Sequence, residues 1–160
     1  HDKFDKIYEN LSDMVNVSER VSGEFEGQDH LIRTLYVPFK QAMNAFNNYA
    51  VSLLDVREIS KASKEKKVLT LVEKLLDNGD RVHKAFRSFY RDYITIPVEK
   101  LPAKSAFIVN EIKALEQDLK LIGKFPDLHQ DSKDQMKHQL EATVNYLKTY
   151  LGGLRQLDKD

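Results

Sequence analysis

The chain has 160 residues, its 25 Lys and Arg balance 25 Asp and Glu, and it contains no cysteine. The balanced charge and a pI near 7.2 argue against the broad positive field that draws proteins to nucleic acid, so we expect no nucleic-acid partner. The missing cysteines exclude a disulfide scaffold, a thiolate zinc site and a cysteine nucleophile within this chain. Its length and a mean hydropathy of −0.52 predict one water-soluble domain over residues 1–160.

The chain begins with His1 rather than Met, and no apolar segment follows directly. We expect a fragment or the mature form of a processed protein. We predict a cytoplasmic, peripheral membrane location, with secretion as the alternative. A signal peptide upstream of His1 would favour the alternative.

Apolar residues recur at alternating steps of three and four in five segments, the pattern of helices that bury one face. The first segment predicts a helix over residues 2–25 that ends at the polar cluster 26–29. The second runs from Ile32 to Val56 and contains Pro38. Because proline removes a backbone donor and clashes with the preceding turn, this helix begins near Pro38 or is kinked there.

The third segment is the longest and runs from Val68 to Ile96. It predicts a rod of roughly 50 Å over residues 64–96. The polar residues 60–64 either link it to the second helix or continue one exposed helix. The Asn-Gly-Asp sequence at 78–80 offers a further break, because glycine costs about 1 kcal/mol in a helix interior.

Two more helices complete the pattern. The first covers residues 108–122, and Gly123 is its natural C-cap. The last opens at Asp131 or Ser132, and we expect it to fray or bend at 152–153 because two glycines lie there.

Strand-like alternation is scarce, and only six glycines and four prolines punctuate the chain. The predicted fold is therefore all-α. We expect an elongated antiparallel bundle of four to five helices with heptad-like packing.

Few residues suggest chemistry. Asp80 and His83 lie one helical turn apart, as a metal-binding pair would, but di-iron bundles need a second pair, so we interpret them as a solvated helix face. His129 and His138 lack the spacing of a zinc protease motif, and we interpret both as surface histidines. A nucleophile elbow and a phosphate-binding loop are both missing from the sequence. We predict no metal, no cofactor and no catalytic residue, and hence no enzyme.

Basic residues concentrate between Arg57 and Arg91, with seven carboxylates within or beside this stretch. If the segment is one rod, its cations line part of a face and can meet anionic lipid head groups at about 1 kcal/mol each. The alternative is an ordinary helix surface crossed by salt bridges. The candidate membrane-binding residues are Lys61, Lys64, Lys66, Lys67, Lys74, Arg81, Lys84, Arg87 and Arg91.

Aromatic residues cluster late in the same rod, as Phe86, Phe89, Tyr90 and Tyr93. They could grip a hydrophobic ligand or the bases of a single strand. At helical spacing, however, a place in the core or in a dimer interface is the favoured interpretation.

The order of elements over residues 31–121 resembles the helical hairpin of the BAR superfamily, the membrane-curvature proteins that include the inverse-BAR group. The resemblance lies in a long helix, a polar break, a second rod and a closing kink. The segments that carry it are AFNNY at 45–49, SKASKEK at 60–66, VHKAF at 82–86, FYRDYI at 89–94 and IPVEKL at 96–101. It implies an elongated dimer that lies on a membrane.

We therefore predict a non-enzymatic helical interaction module, a BAR-like homodimer that associates with anionic membranes through residues 61–91. Two alternatives stay open: a secreted bundle that carries lipid or another hydrophobic ligand, and an adaptor that binds only protein partners. Co-purified lipid favours the carrier, and an obligate elongated dimer favours the BAR-like interpretation. If neither is found, the adaptor interpretation remains.

Overall fold

The structure is a computed structural model and describes residues 35–95, 98–126 and 130–159. Its α-helices are α1 (Val37–Ala62), α2 (Lys66–Thr95), α3 (Ser105–Ile122) and α4 (Gln130–Lys159), with a 3₁₀ helix (Val98–Lys104) between α2 and α3. Within these ranges there is no strand, so the all-α class is confirmed. The helix predicted over residues 2–25 lies outside the described residues.

The expected start near Pro38 and the turn before the third helix are both found. Pro38 lies in the first turn of α1, where its missing N–H is one that a helix leaves unpaired anyway. The turn is confined to Ser63 and Lys64, and Lys64 adopts a left-handed backbone with φ 57°. Backbone bonds from Ser63 to Ile59 and from Glu65 to Ser60, both 3.0 Å, close it.

The glycines do not interrupt the helices. α2 continues through Gly79, and α4 continues through Gly152 and Gly153, so the expected fraying at 152–153 is wrong. Gly123 is the C-cap of α3 as predicted, but it keeps a right-handed backbone with φ −59°. The packing of the surrounding helices outweighs the intrinsic preference of single glycines here.

Each helix buries the face that its three-four spacing marks. α1 packs most extensively on α4, α3 also packs on α4, and α2 contacts both α1 and α3. One continuous core joins all four helices and includes Leu101 of the 3₁₀ helix. The predicted core positions whose side chains the structure describes are buried, with Leu119 and Leu157 at the margin.

Five aromatic rings, which we call the aromatic cluster, hold α1, α2 and α4 together. Phe86 of α2 lies 5.4 Å from Phe46 and 6.3 Å from Phe39, measured between ring centroids, with edge-on geometry. Phe39 lies 5.6 Å from Tyr150 of α4, and Phe89 contacts Phe86. The core interpretation is thus confirmed for Phe86 and Phe89.

Replacing Phe86 by Ala should lower the free energy of unfolding by about 3 to 5 kcal/mol, because a ring that is 1 % exposed is replaced by a cavity. Phe107→Ala is the matched control, since that ring is 59 % exposed and should cost less than about 1 kcal/mol. Urea unfolding followed by circular dichroism measures both. A loss below about 1 kcal/mol for Phe86→Ala would contradict its place in the core.

Gly79→Ala tests the continuity of α2. A Cβ at this position would lie 3.9 Å from Cζ of Phe46, an ordinary contact, and no described glycine has a positive φ. We expect a gain of about 1 kcal/mol in the free energy of unfolding, since alanine loses less backbone entropy than glycine in a helix. A destabilised Gly79→Ala protein in the same unfolding assay would mean that the Asn-Gly sequence forms a turn after all.

Candidate functional site

The nine candidate membrane-binding residues are all exposed, but they do not form one uniform surface. Arg81 donates to both carboxylate oxygens of Glu111 on α3 at 3.0 Å, and Lys84 pairs with Asp80 at 3.3 Å. Arg57, counted among the cations of this stretch, is buried and pairs with Glu58. This part of α2 therefore has the salt-bridged surface that we considered as the alternative.

The turn between α1 and α2 is different, because four lysines surround it within seven positions. We call Lys61, Lys64, Lys66 and Lys67 the lysine tip. All four are exposed, and none forms an ion pair with a described residue. The exposed side chain of Ile59 lies beside them. The lysine tip is the strongest concentration of unpaired positive charge among the nine candidates.

The remaining candidates, Lys74, Arg87 and Arg91, are exposed along α2 and make no ion pair with a described residue. Arg87 contributes to the electrostatic environment of His83. These three are spaced over 18 positions of one helix, so they do not reinforce one another as the lysine tip does.

The interpretation of Asp80 and His83 as a solvated face is wrong for His83, which is only 4 % exposed. Burial, and secondarily the charge of Arg87, lowers the pKa of His83 below its usual value. Neither ring nitrogen has a hydrogen-bond partner in the described structure. His138 is exposed as expected, and His129 lies outside the described residues.

Within the described ranges, no group of three or more His, Asp or Glu side chains is arranged to hold a metal ion. No described helix has the length and apolar content to cross a membrane.

A polar cluster lies inside the bundle, where α1, α2 and α3 meet. Nδ2 of Asn78 on α2 donates to Oδ1 of Asp118 on α3 at 2.6 Å, and Asp118 is 2 % exposed. The fully buried Tyr49 of α1 lies within electrostatic range of the same carboxyl. The ion pair of Arg81 and Glu111 flanks the cluster.

The environment of Asp118 favours its protonated form. Burial raises its pKa to about 6, against the opposing effects of the Asn78 hydrogen bond and the Arg81 charge. Burial, with a contribution from Asp118, also raises the pKa of Tyr49 well above its usual value. Burial raises the pKa of Glu111 as well, although Arg81 opposes this. The cluster thus holds a titratable carboxyl group between helices.

Two adjoining surface cavities, of about 520 and 320 Å³, lie where α4 begins beside α1. Asp131 and Gln135 line both, Asp134 and His138 line the larger, and Asp55 of α1 lines the smaller. We call this feature the acidic groove. It places three carboxylates on the α1–α4 side of the bundle.

Sequence reasoning missed Asp118 and His83 as interior residues. Both lie in register with the apolar positions, since Asp118 is three residues after Leu115 and His83 is three residues before Phe86. Register alone would have marked both as interior positions. A scan for apolar residues passes over them because their side chains are polar.

Comparison of this chain with protein-family models, curated proteins and solved structures gives no match.

Asp118→Asn should alter how stability depends on pH. In the wild type the folded protein binds the Asp118 proton more tightly than the unfolded chain, so stability is lost as pH rises from about 4 to about 6. A raised pKa of about two units corresponds to about 3 kcal/mol. Because asparagine carries no charge and still accepts from Asn78, the variant should avoid this loss.

Urea unfolding at pH 4.5 and pH 7.5 measures the effect as the difference between variant and wild type, which cancels the titration of His83 common to both. Asp131→Asn, at an exposed position, is the control and should follow the wild type. An Asp118→Asn protein that shows no relative gain at pH 7.5 would contradict the burial of a costly charge.

Proposed function

We propose that this chain is a non-enzymatic helical interaction module that associates with anionic membrane surfaces through the cations of residues 61–91. The observation that carries the proposal is the lysine tip, with four exposed lysines that have no ion pair among the described residues. Each lysine near an acidic bilayer contributes about 1 kcal/mol, so the four together can hold a protein at the surface.

Two carboxylates lie near the lysine tip, but one is paired with an arginine and the four lysines outnumber the other. Glu58 pairs with the buried Arg57, and Glu65 accepts a hydrogen bond from the Ser63 hydroxyl at 3.0 Å. The exposed Ile59 adds an apolar side chain that can enter the head-group region beside the charges.

The proposal includes the elongated, antiparallel arrangement with heptad-like packing. Two contacts between α2 and α3 support it: Asn78 meets Asp118, and Arg81 meets Glu111. Residue numbers rise along α2 as they fall along α3, which is the signature of antiparallel neighbours. At 1.5 Å per residue, the 30 residues of α2 span about 45 Å.

The BAR-like character and the homodimer belong to the same proposal. They rest on the sequence pattern of residues 31–121, to which the structure adds only that two long helices, α1 and α2, are joined by a polar turn. We propose the homodimer from this resemblance alone, because the apolar core positions of α2 whose side chains the structure describes are already buried within one copy.

Reversal of Lys64, Lys66 and Lys67 to Glu should abolish binding to acidic vesicles. The change shifts the local charge by six units at exposed positions outside the core, so folding should survive. We expect the affinity for vesicles with acidic lipid to fall roughly 100-fold, given about 1 kcal/mol for each lysine. Binding by the wild type should also weaken sharply with salt, since exposed charges are screened within about 8 Å at physiological ionic strength.

Vesicle co-sedimentation, with and without acidic lipid, is the measurement. The matched control reverses Lys113, Lys148 and Arg155, which are exposed on α3 and α4, for the same change in net charge. Equal binding by the wild type and the tip variant, or no binding by the wild type, would rule out the membrane proposal.

A further inference from the structure

Two lysines far from the lysine tip in sequence lie at the end of α3. Lys120 is in the last turn of this helix, and Lys124 follows its C-cap. Both are exposed, and neither forms an ion pair with a described residue. They are 53 or more positions beyond Lys67 along the chain, so only the fold can bring them near the tip.

The contacts between α2 and α3 fix where these lysines lie. The 2.6 Å hydrogen bond between Asn78 and Asp118 shows that these two residues lie at the same height along the axes of α2 and α3. From that height, Lys120 lies about 3 Å along α3, in the direction in which α2 runs back to its first residue, and Lys124 follows the end of α3, which is about 6 Å away. Lys66, the first residue of α2, lies about 18 Å from the same height. Lys74 lies about 6 Å from the same height, and it contributes to the electrostatic environment of Asp118.

The half of the bundle that begins at the turn between α1 and α2 thus carries lysines from two separate segments. We call the lysine tip together with Lys74, Lys120 and Lys124 the lysine end. The next loop is also tied to this end, because Nζ of Lys133 donates to the backbone oxygen of Phe125 at 3.2 Å. By contrast, Arg87 and Arg91 lie more than about 30 Å from Lys66 along α2.

Carboxylates lie on both sides of this end, because Glu65, Glu73, Asp77 and Glu116 stand among the lysines that α2 and α3 carry. The acidic groove is formed by α1 and α4, whereas the lysine end lies mostly on α2 and α3. The seven lysines outnumber the four carboxylates on the α2–α3 side, whereas the residues that line the acidic groove include no lysine, so an acidic surface favours the α2–α3 side.

We propose that the protein meets an anionic lipid bilayer with its lysine end, so that Lys120 and Lys124 bind together with the lysine tip while the rest of α2 stays away from the membrane. This inference rests on the proposed membrane function and adds to it the contact surface and the orientation. A bilayer fits better than a single small anion, because the seven lysines are spread over one end of the bundle and many head groups can meet them at once.

Three double variants of the full chain test this orientation, each changing the net charge by four. Lys120→Glu with Lys124→Glu removes the newly assigned part of the lysine end. Arg87→Glu with Arg91→Glu changes the far half of α2. Lys148→Glu with Arg155→Glu is the control on α4, and all six residues are exposed.

We expect the first variant to bind vesicles with acidic lipid at least 10-fold more weakly than the wild type. The second and third variants should stay within about twofold. Because a glutamate near a helix C-terminus is unfavourable for the helix, Lys120→Gln with Lys124→Gln provides a second measurement with a smaller expected loss, of about threefold or more. Circular dichroism melting verifies that each variant is folded.

Normal binding by both the Glu and the Gln variants at 120 and 124 would overturn the inference. A larger loss in the Arg87 and Arg91 variant would also overturn it, since that result indicates contact along the whole of α2. If reversal of Lys64, Lys66 and Lys67 still abolishes binding in either case, the proposed function survives. If the wild type does not bind acidic vesicles, both the proposed function and this inference are wrong.

Discussion

The burial of one apolar face on every helix is the constraint on which the rest of this structure depends. An isolated amphipathic helix is marginal in water, so α1 to α4 gain most of their stability by covering one another. α4 is central to this arrangement because it packs on both α1 and α3. The aromatic cluster attaches α2 to α1, because the ring of Phe86 on α2 contacts the rings of Phe39 and Phe46. The resulting helices contain glycines such as Gly79 and Gly152 without a break.

The same burial imposes a free-energy cost on the polar side chains that lie in the interior. Asp118 and His83 occupy positions that the apolar pattern reserves for the core, and both are shifted towards their neutral forms. A carboxyl removed from water needs partners, and Asn78 supplies one. The bond specifies how α2 and α3 align, because it forms at one register of the two helices only. Apolar contacts between the same helices would allow them to slide.

Periodicity was sufficient to place the helices but not to distribute the charges. Burial repeats along a helix, so the spacing of residues such as Val82 and Leu115 identified the core, and Pro38 identified a boundary. The pairing of Arg81 with Glu111 depends on which helix lies alongside, and 30 positions separate the two in sequence. A list of cations in sequence order cannot show which of them are neutralised.

For the same reason, the site predicted from the sequence was a continuous basic stretch, whereas the structure divides it. The lysines of the tip make no ion pair within the described part of the chain, but Arg81 and Lys84 are paired with carboxylates. Lys120 and Lys124 were not among the candidates because nothing in a linear sequence connects them with residues 61–67. Their relation to the turn depends on the register that Asn78 and Asp118 set.

The left-handed backbone of Lys64 links the stability of the turn to its charge. A side chain at φ 57° carries a conformational cost of order 1 kcal/mol that glycine would not have. The substitution that best relaxes this turn therefore also removes a positive charge from the surface. At this position conformational ease and electrostatic potential work against each other, so a protein selected for thermal stability alone would be expected to lose the lysine.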